Sequence, residues 1–328
     1  MNYPDIGFTP EYQELFKDTA FGGEMCHFNH GDIDYRYYKR PIPGTPYFDV
    51  VSPYGYSGPV QVAESADWPW FLANLHSYFY NAGIIAEFAR LHPWERQPMQ
   101  WQDFEGQQVE VLYDKITHGP PYHYEHDVWY IDLTQTEEQI WAGLDKGCRG
   151  AIKKAERIGV KVGLGDWDSD DVICFDLLYL QTMTRANAHT QYAVLGHLFN
   201  DLKPVMWKAI YQHKMIAGIL LWVHGNYAHY YLSCSNGQFR SSGASNLILW
   251  EAIKWAKSQG CKVFNLGGGL SAGDSLESFK RSFTKTSKPF FTYRKIHNPE
   301  VYDDLCKAKG IDPQSEGFFP RYRSFDGK

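Results

Sequence analysis

Arg240, Ser241, Ser242, Gly243, Ala244 and Ser245 lie in the stretch QFRSSGASNLILWEAIKWAKSQG (238–260), where a small polar loop runs straight into an amphipathic helix. A helix N-terminus leaves backbone N–H groups without partners and carries the positive end of the dipole, so it suits an anion. None of residues 241–245 has bulk that would hold a phosphate away. An ordinary N-cap is the competing reading, because Ser and Asn are favoured there with or without a ligand. Just upstream, NYAHYYLSCS (226–235) alternates, which places His229, Tyr231 and Ser233 on one face of a strand and Tyr230 and Leu232 on the other. The imidazole of His229 suits acid–base work, and a hydrogen-bonded sheet histidine is its structural alternative. The run RGAIKKAERIGVK (149–161) stacks Arg149 on Lys153 and Lys153 on Arg157. Like charges at i,i+4 cost a few tenths of a kcal/mol, which points to an anionic partner, although such runs also serve as solvated faces. His118, His123 and His126 in HGPPYHYEHD are irregularly spaced beside a stiff Pro pair, with no matching Cys or carboxylate cluster, so no metal is expected.

These groups need elements to position them. Turn residues crowd PIPGTPYFDVVSPYGYSGPV (41–60), so the first third reads as short strands and loops around one clear helix, DWPWFLANLHSYFYNAG (67–83), ending at Gly83. The stretches IIAEFARL (84–91), QQVEVLYDKI (107–116) and DVWYIDL (127–133) read as strands. At Thr134 the texture changes. Residues 134–160 form one long helical segment, or two helices kinked near Gly147, and VKVGL follows as a short strand. DSDDVICFDLLYLQTMTRANAH (168–189) is a second helix and YAVLGHLFNDLKPV (192–205) a third. Three strands then make an antiparallel meander with tight turns at His213-Lys214 and Gly225-Asn226. After it come a helix from about Ala244 to Ser258, the buried strand KVFNLGGG, a short helix DSLESFKRSF capped by Asp274 or Ser275, the strand KPFFTYRKI and a terminal helix PEVYDDLCKAKG. In the helix from Ala244, Ile248, Ala252, Trp255 and Ala256 make the apolar side, and Glu251, Lys254 and Lys257 the wet one.

The bulk properties bound the class. A chain of 328 residues has the length of two domains or one large one, and its 44% apolar and 21% charged residues are those of a soluble globular protein. With 23 Tyr and 11 Trp, clefts lined by amphipathic rings are expected. A net charge of −6 speaks against a stable nucleic-acid partner, while a local basic patch can still take a phosphate-bearing ligand. The six cysteines are scattered without a C-x-x-C pair, which fits a reducing compartment. The N-terminal stretch MNYPDIGFTPEYQELF shows no signal-peptide pattern, and runs such as IAGILLWV are too short to span a bilayer, so a cytoplasmic location is expected. No G-x-x-x-x-G-K-[ST] and no G-x-G-x-x-G occurs, and the strand before the loop belongs to an antiparallel meander, which excludes a P-loop and a dinucleotide fingerprint.

What remains resembles the GNAT superfamily of acyl-CoA-dependent acyltransferases, whose pyrophosphate loop has the pattern [QR]-x-x-G-x-[GA]. Arg240 and Gly243 meet its first two fixed positions, and Ser245 departs from the third. More widely, YIDLTQTEEQIWAGLDKGCRGAIKKAERIGVKV, the T-x-x-R of Thr182 and Arg185, and VFNLGGG followed by SLESFKRSF are similar to the Fem family, peptidoglycan-bridge aminoacyltransferases built from two GNAT-like domains. SPYGYSGP is similar to a Tyr-Gly turn in the first domains of relatives, which implies acceptor-side roles for Tyr54 and Tyr56. The resemblance also implies that Lys280 lies near the reacting carbonyl, that Phe279 borders the substrate, and that Arg185 holds a phosphate of the acceptor. In structural terms FKRSF is equally a solvated face with Phe279 and Phe283 as core anchors, and Arg185 a surface cation near a helix end.

One family feature is missing. The interval from Gly165 to Pro204 is too short for the long helical hairpin associated with a tRNA-linked donor, which shifts the expected donor to acetyl-CoA or another acyl-CoA. The expectation is therefore α/β (α+β): two tandem GNAT-like domains, 1–135 on the acceptor side and 136–328 for donor binding and catalysis, each a mixed, mostly antiparallel twisted sheet flanked by helices. Its activity would be acyl transfer to an amine of a small-molecule acceptor, a sugar, cell-surface or cell-wall precursor, with Lys280, His229 and Tyr231 as catalytic candidates. Two rivals stand beside it: aminoacyl transfer from charged tRNA, and a non-catalytic module that binds a glycan or nucleotide sugar. The oligomeric state is left open.

Overall fold

The computed structural model describes residues 2–19, 22–63, 66–95, 122–187, 202–269 and 273–324. Two units emerge from the packing: Met1–Glu125 with Pro289–Lys328, and His126–Lys288.

The first unit starts with α1 (Pro10–Phe16), where Thr9 caps the helix by accepting from the Tyr12 N–H at 3.2 Å. Strands β1 (Glu24–His30), β2 (Ile33–Pro41), β3 (Phe48–Val51) and the short β4 (Val60–Gln61) precede α2 (Trp68–Asn81) and β5 (Ile84–Arg90). Helix α2 begins where Asp67 accepts from the Trp70 N–H and stops before Gly83, which turns the chain at φ +69°. Its Trp68, Phe71, Leu75 and Phe79 recur at helical spacing and bury against Ile33, Tyr35, Tyr37, Val50 and Ile84. The sheet runs antiparallel from β1 through β2 to β3, and parallel from β3 to β5.

The second unit is read from β6 (Tyr122–Asp132), α3 (Glu137–Gly143), α4 (Lys146–Ile158), β7 (Lys161–Leu164), α5 (Asp171–Arg185), the meander β8 (Val205–Tyr211), β9 (Lys214–His224) and β10 (Tyr227–Ser235), then α6 (Ala244–Ser258), β11 (Val263–Gly267) and α7 (Ser275–Arg281). Its strands follow the order β6-β11-β10-β9-β8-β7, parallel only between β10 and β11. Ile152 and Ala155 of α4 and Leu247, Ile248, Ala252, Ile253 and Ala256 of α6 close over Ala209, Ile219, Leu221, Ala228 and Phe264 of the sheet. The other helix, α5, presses Phe175 onto Gly218, where a Cβ would lie 2.7 Å from the ring.

β12 (Ser287–Ile296) and α8 (Pro299–Ala308) complete the chain. Here the structure corrects the expected division. Pro289–Lys328 belongs to the first unit rather than to a C-terminal domain of 136–328, because β12 pairs antiparallel with β5, from Thr292 on Arg90 to Ile296 on Ala86. Tyr302 and Cys306 of α8 pack on Ile42, Ile85 and Ala86 of the same unit. The helical segment 134–160 is two helices, broken at Leu144 and Asp145 close to Gly147, and Arg149 bridges the break by donating to the Ala142 carbonyl at 3.0 Å and to that of Leu144. His123 and His126 lie on β6 three residues apart, so their side chains leave opposite faces and cannot share one ion. The expected strand 107–116, His118 and residues 192–201 of the expected helix 192–205 fall outside the described residues. Among the described residues no helix is long and apolar enough to cross a membrane.

Candidate active site

The parallel pair β10–β11 is short. It holds register at Tyr227 on Val263, Ala228 on Phe264 and His229 on Asn265, while β10 continues alongside β9 to Ser235. A bulge between Tyr230 and Leu232 makes Tyr231 the extra residue and bends the strand at the point where the pairing with β11 ends. The bulge also overturns the expected alternation: His229 and Ser233 are no longer in phase, and the Tyr231 ring meets the edge of Trp222 at 5.9 Å. Where two parallel strands stop pairing in this way, main-chain groups of both are released from the ladder.

His229 is buried at the last paired position, and its Nδ1 lies 3.1 Å from the amide nitrogen of Asn265. Asn265 Oδ1 accepts from the Gly267 N–H at 2.8 Å, which fixes the amide so that its NH2 faces the ring. Nδ1 is therefore an acceptor, and neutral His229 carries its proton on Nε2. That tautomer presents a donor at Nε2, which is poorly suited to accept a proton from an incoming amine. Sequence reasoning missed Asn265, whose role depends on the β10–β11 register.

Lys280 reaches the chain just beyond β11 from α7. A capped turn, Asp274 accepting from the Glu277 N–H, starts α7 and swings Lys280 inward. Its side chain is 7% exposed, and Nζ donates to the Gly268 carbonyl at 2.6 Å. Burial pulls its pKa down to about 8, with the nearby Asp274 charge working against that fall. Gly268 is half-buried and closely packed on one side: a Cβ there would lie 2.1 Å from the His126 ring and 3.0 Å from the Asp127 carbonyl. His126, weighed from sequence only as a metal ligand, thus stands beside the glycine that receives Lys280. The neighbouring Arg281 lies over the Trp129 ring at 5.0 Å. Phe279 packs edge-on against Phe283 and the core, so its ring anchors α7.

Beyond β10, residues 237–242 form a 3-10 turn that feeds α6 through Gly243 at φ +81°. The expected six-residue cradle divides. Ser242 is buried, and its hydroxyl accepts from the Ala244 N–H at 3.1 Å; Gly243 and Ala244 are buried too. Arg240 and Ser241 are exposed and Ser245 half-buried. Lys154 of α4 joins them, donating to the Ser241 carbonyl at 2.6 Å. Of the basic run, then, Arg149 serves α3, Lys153 lies 6.0 Å from the centre of the Trp141 ring, and Lys154 reaches the loop. Gly243 is required for a reason the sequence hid: a Cβ would stand 2.2 Å from the Ala151 carbonyl oxygen of α4. Arg185 is exposed at the end of α5, and its Nη2 donates to the Ser235 carbonyl at 2.6 Å.

Tyr54 and Tyr56 belong to the first unit and flank Gly55 at φ +96°. Arg90 lies over the Tyr54 ring at 5.3 Å, and Tyr56 meets Phe290 and His92 edge-on. Beside them His92 Nε2 meets Asp5 at 2.8 Å, and its Nδ1 accepts from the N–H groups of Trp94 and Glu95.

Comparison with known proteins agrees with this geometry. Residues 145–281 match the acetyltransferase (GNAT) domain family. The search of curated proteins gave no significant match. Among solved structures, FemX is similar over 89% of this chain and 97% of its own, with a TM-score of 0.62 and 12% identity. L-PGS from Bacillus licheniformis is similar over 90% of this chain and 96% of its own, with a TM-score of 0.52 and 13% identity. The chain has a Fem-like fold related to the GNAT acyltransferases.

Proposed function

We propose that the second unit is an N-acyltransferase that moves an acyl group from an acyl-CoA to an amine of a sugar, cell-surface or cell-wall precursor. One observation carries the reading: the pairing of β10 and β11 stops after His229 and Asn265, with an exposed turn beyond β10 and a buried ammonium beyond β11, so that a cleft where the strands part would take the donor. Main-chain groups of the parted strands are suited to hold an extended thioester, and Arg240, Ser241, Ser245 and Lys154 to hold its phosphates. Lys280 would stabilise the negative charge that develops on the carbonyl oxygen as the amine attacks. The arrangement offers His229 as a hydrogen-bond donor, and Tyr231, bulged out of the β10 register, as the remaining acid–base candidate.

The stretch between β7 and β8 supports acyl-CoA over an aminoacyl-tRNA donor, because α5 and the residues up to Val205 leave no length for a long helical hairpin. A cytoplasmic site of action fits a donor of this kind. The deciding experiment is binding of acetyl-CoA, longer acyl-CoAs, nucleotide sugars and charged tRNA to the full chain by thermal shift and calorimetry, followed by assay of free thiol release with amino-sugar acceptors. Acyl-CoA binding with thiol release is the expected result. Charged-tRNA binding without CoA binding would move the chain to aminoacyl transfer, and nucleotide-sugar binding without turnover would make it a binding module.

A further inference from the structure

Ser235 is the last residue of β10, paired with Ala217 of β9, and the chain leaves the sheet immediately after it. Both of its backbone groups are taken by one turn of α5. The Ser235 N–H donates to Thr182 Oγ1 at 3.1 Å, and the Ser235 carbonyl accepts from Arg185 Nη2 at 2.6 Å. The same Arg185 Nη2 donates to Thr182 Oγ1 at 3.0 Å. Thr182 can accept twice because its own hydroxyl proton goes back to the Leu178 carbonyl at 2.8 Å. The guanidinium then runs along Gly237, where a Cβ would lie 3.6 Å from Arg185 Cδ. The next residue, Asn236, donates its N–H to the Ile216 carbonyl at 2.8 Å, and its side chain accepts from the Gln238 N–H to start the 3-10 turn.

We propose that Thr182 and Arg185 are positioning residues that clamp both backbone groups of Ser235, fixing where the turn 237–242 leaves the sheet and where α6 presents its N-terminus to coenzyme phosphates. The last clause rests on the acyl-CoA reading; the clamp itself does not. The resemblance would give Arg185 to a phosphate of the acceptor, yet its hydrogen bonds run to Ser235 and Thr182, on the donor side of the cleft. Thr182 separates the two roles, since it has no charge and only the clamp gives it a task.

The test uses the full chain as wild type, Thr182→Val, Arg185→Ala, Arg185→Lys and the Thr182→Val/Arg185→Ala double variant. Hydrogen exchange over residues 236–242 reads the loop directly, while calorimetry with acetyl-CoA and with UDP-N-acetylglucosamine reads the two sides of the site. Thr182→Val and Arg185→Ala should each speed loop exchange by roughly tenfold and weaken acetyl-CoA by a similar factor. Nucleotide-sugar affinity should hold. The double variant should lose less than the product of the single effects, because both act on one residue, and Arg185→Lys should fall between wild type and Arg185→Ala. Unchanged loop exchange in Thr182→Val would overturn the clamp, as would an Arg185→Ala variant that loses only nucleotide-sugar affinity. A wild type that ignores acetyl-CoA would remove the acyl-CoA reading, and the exchange rates would still decide the clamp.

Discussion

The two strand ends that flank the proposed cleft are built in opposite ways. Beyond β10 the turn from Gly237 to Ser241 is mostly exposed, and what it offers is main chain and cations: Arg240, Ser241 and the Lys154 ammonium on the Ser241 carbonyl. Beyond β11 it is the ammonium that is enclosed: Lys280 is buried against the carbonyl oxygen of half-buried Gly268, whose Cα faces the His126 ring and the Asp127 carbonyl. An exposed ammonium is strongly hydrated and suits binding of a ligand that also stays wet. A buried one is poorly solvated, so it interacts strongly with any charge that forms beside it. On the proposed function, binding falls to the first end and charge stabilisation to the second.

The largest expected effect is structural and falls on the binding end. Gly243→Val places a β-branched side chain at φ +81° and drives its Cβ into the Ala151 carbonyl. Left-handed strain of about 1–3 kcal/mol adds to a backbone clash that the α4–α6 contact cannot relieve cheaply. The variant should lose its cooperative unfolding transition or show it at much lower denaturant, and even Gly243→Ala should be destabilised. A Gly243→Ala chain as stable as wild type would show that α4 yields, and would reopen a purely phosphate-binding reason for this glycine.

Next comes stability against pH at the buried end. Lys280 has a folded pKa of about 8 against an ordinary 10.5. Between those values the unfolded chain holds the proton and the folded chain does not, so stability rises with pH across that window. It gains about 3 kcal/mol from this group if the full shift is realised. Tyrosines whose pKa values burial raises, such as Tyr230 at about 12, act in the opposite direction at the alkaline end of the window, so the difference between wild type and Lys280→Met is the quantity to measure. Lys280→Met should be at least as stable as wild type at pH 7 and should lose this part of the slope. Equal slopes in the two proteins would mean that the ammonium is solvated.

A smaller effect concerns turnover. If Lys280 stabilises charge that forms only during reaction, Lys280→Met should lower kcat and kcat/KM together by roughly 10²-fold, with acyl-CoA affinity unchanged. Wild-type activity should also fall above pH 8, where the ammonium is lost, and Lys280→Arg should remove that alkaline fall because a guanidinium stays charged. A rise in KM at constant kcat would instead make Lys280 a phosphate ligand, and the two strand ends would no longer differ in kind.

Much of this was legible in the sequence, and the rest was hidden for identifiable reasons. The bounds of α6, Ala244–Ser258, follow from a glycine at its start and apolar residues at helical spacing. The meander β8–β10 shows in its alternation and its tight turns. The return of β12 to β5 does not, because alternation marks a strand without naming its partner. The bulge at Tyr231 is a matter of register, and it voided the face assignment made for His229, Tyr231 and Ser233. FKRSF reads equally as a wet face, and only the turn of α7 shows that Lys280 points inward while Phe279 anchors. Nor could the sequence tell that Ser242 would serve Ala244, or that Arg149 would close the break after α3.

The smallest effect is a change of tautomer at the point where the two strands part. The orientation of the Asn265 amide, fixed by the Gly267 N–H, makes His229 Nδ1 an acceptor and places the neutral ring's proton on Nε2. Asn265→Asp keeps the oxygen that receives the Gly267 N–H and replaces the NH2 by a second acceptor. The ring must then put its proton on Nδ1, which leaves Nε2 as a lone pair able to take a proton. Imidazole nitrogen-15 NMR should show the Nε2–H form in wild type and the Nδ1–H form in Asn265→Asp. If wild type already shows Nδ1–H, the amide is turned the other way, and His229 returns as a general-base candidate for the incoming amine. If the tautomer switches as expected and activity falls, His229 acts as a donor. If activity rises instead, proton removal from the amine limits the wild type, and the bulged Tyr231 is the next residue to vary.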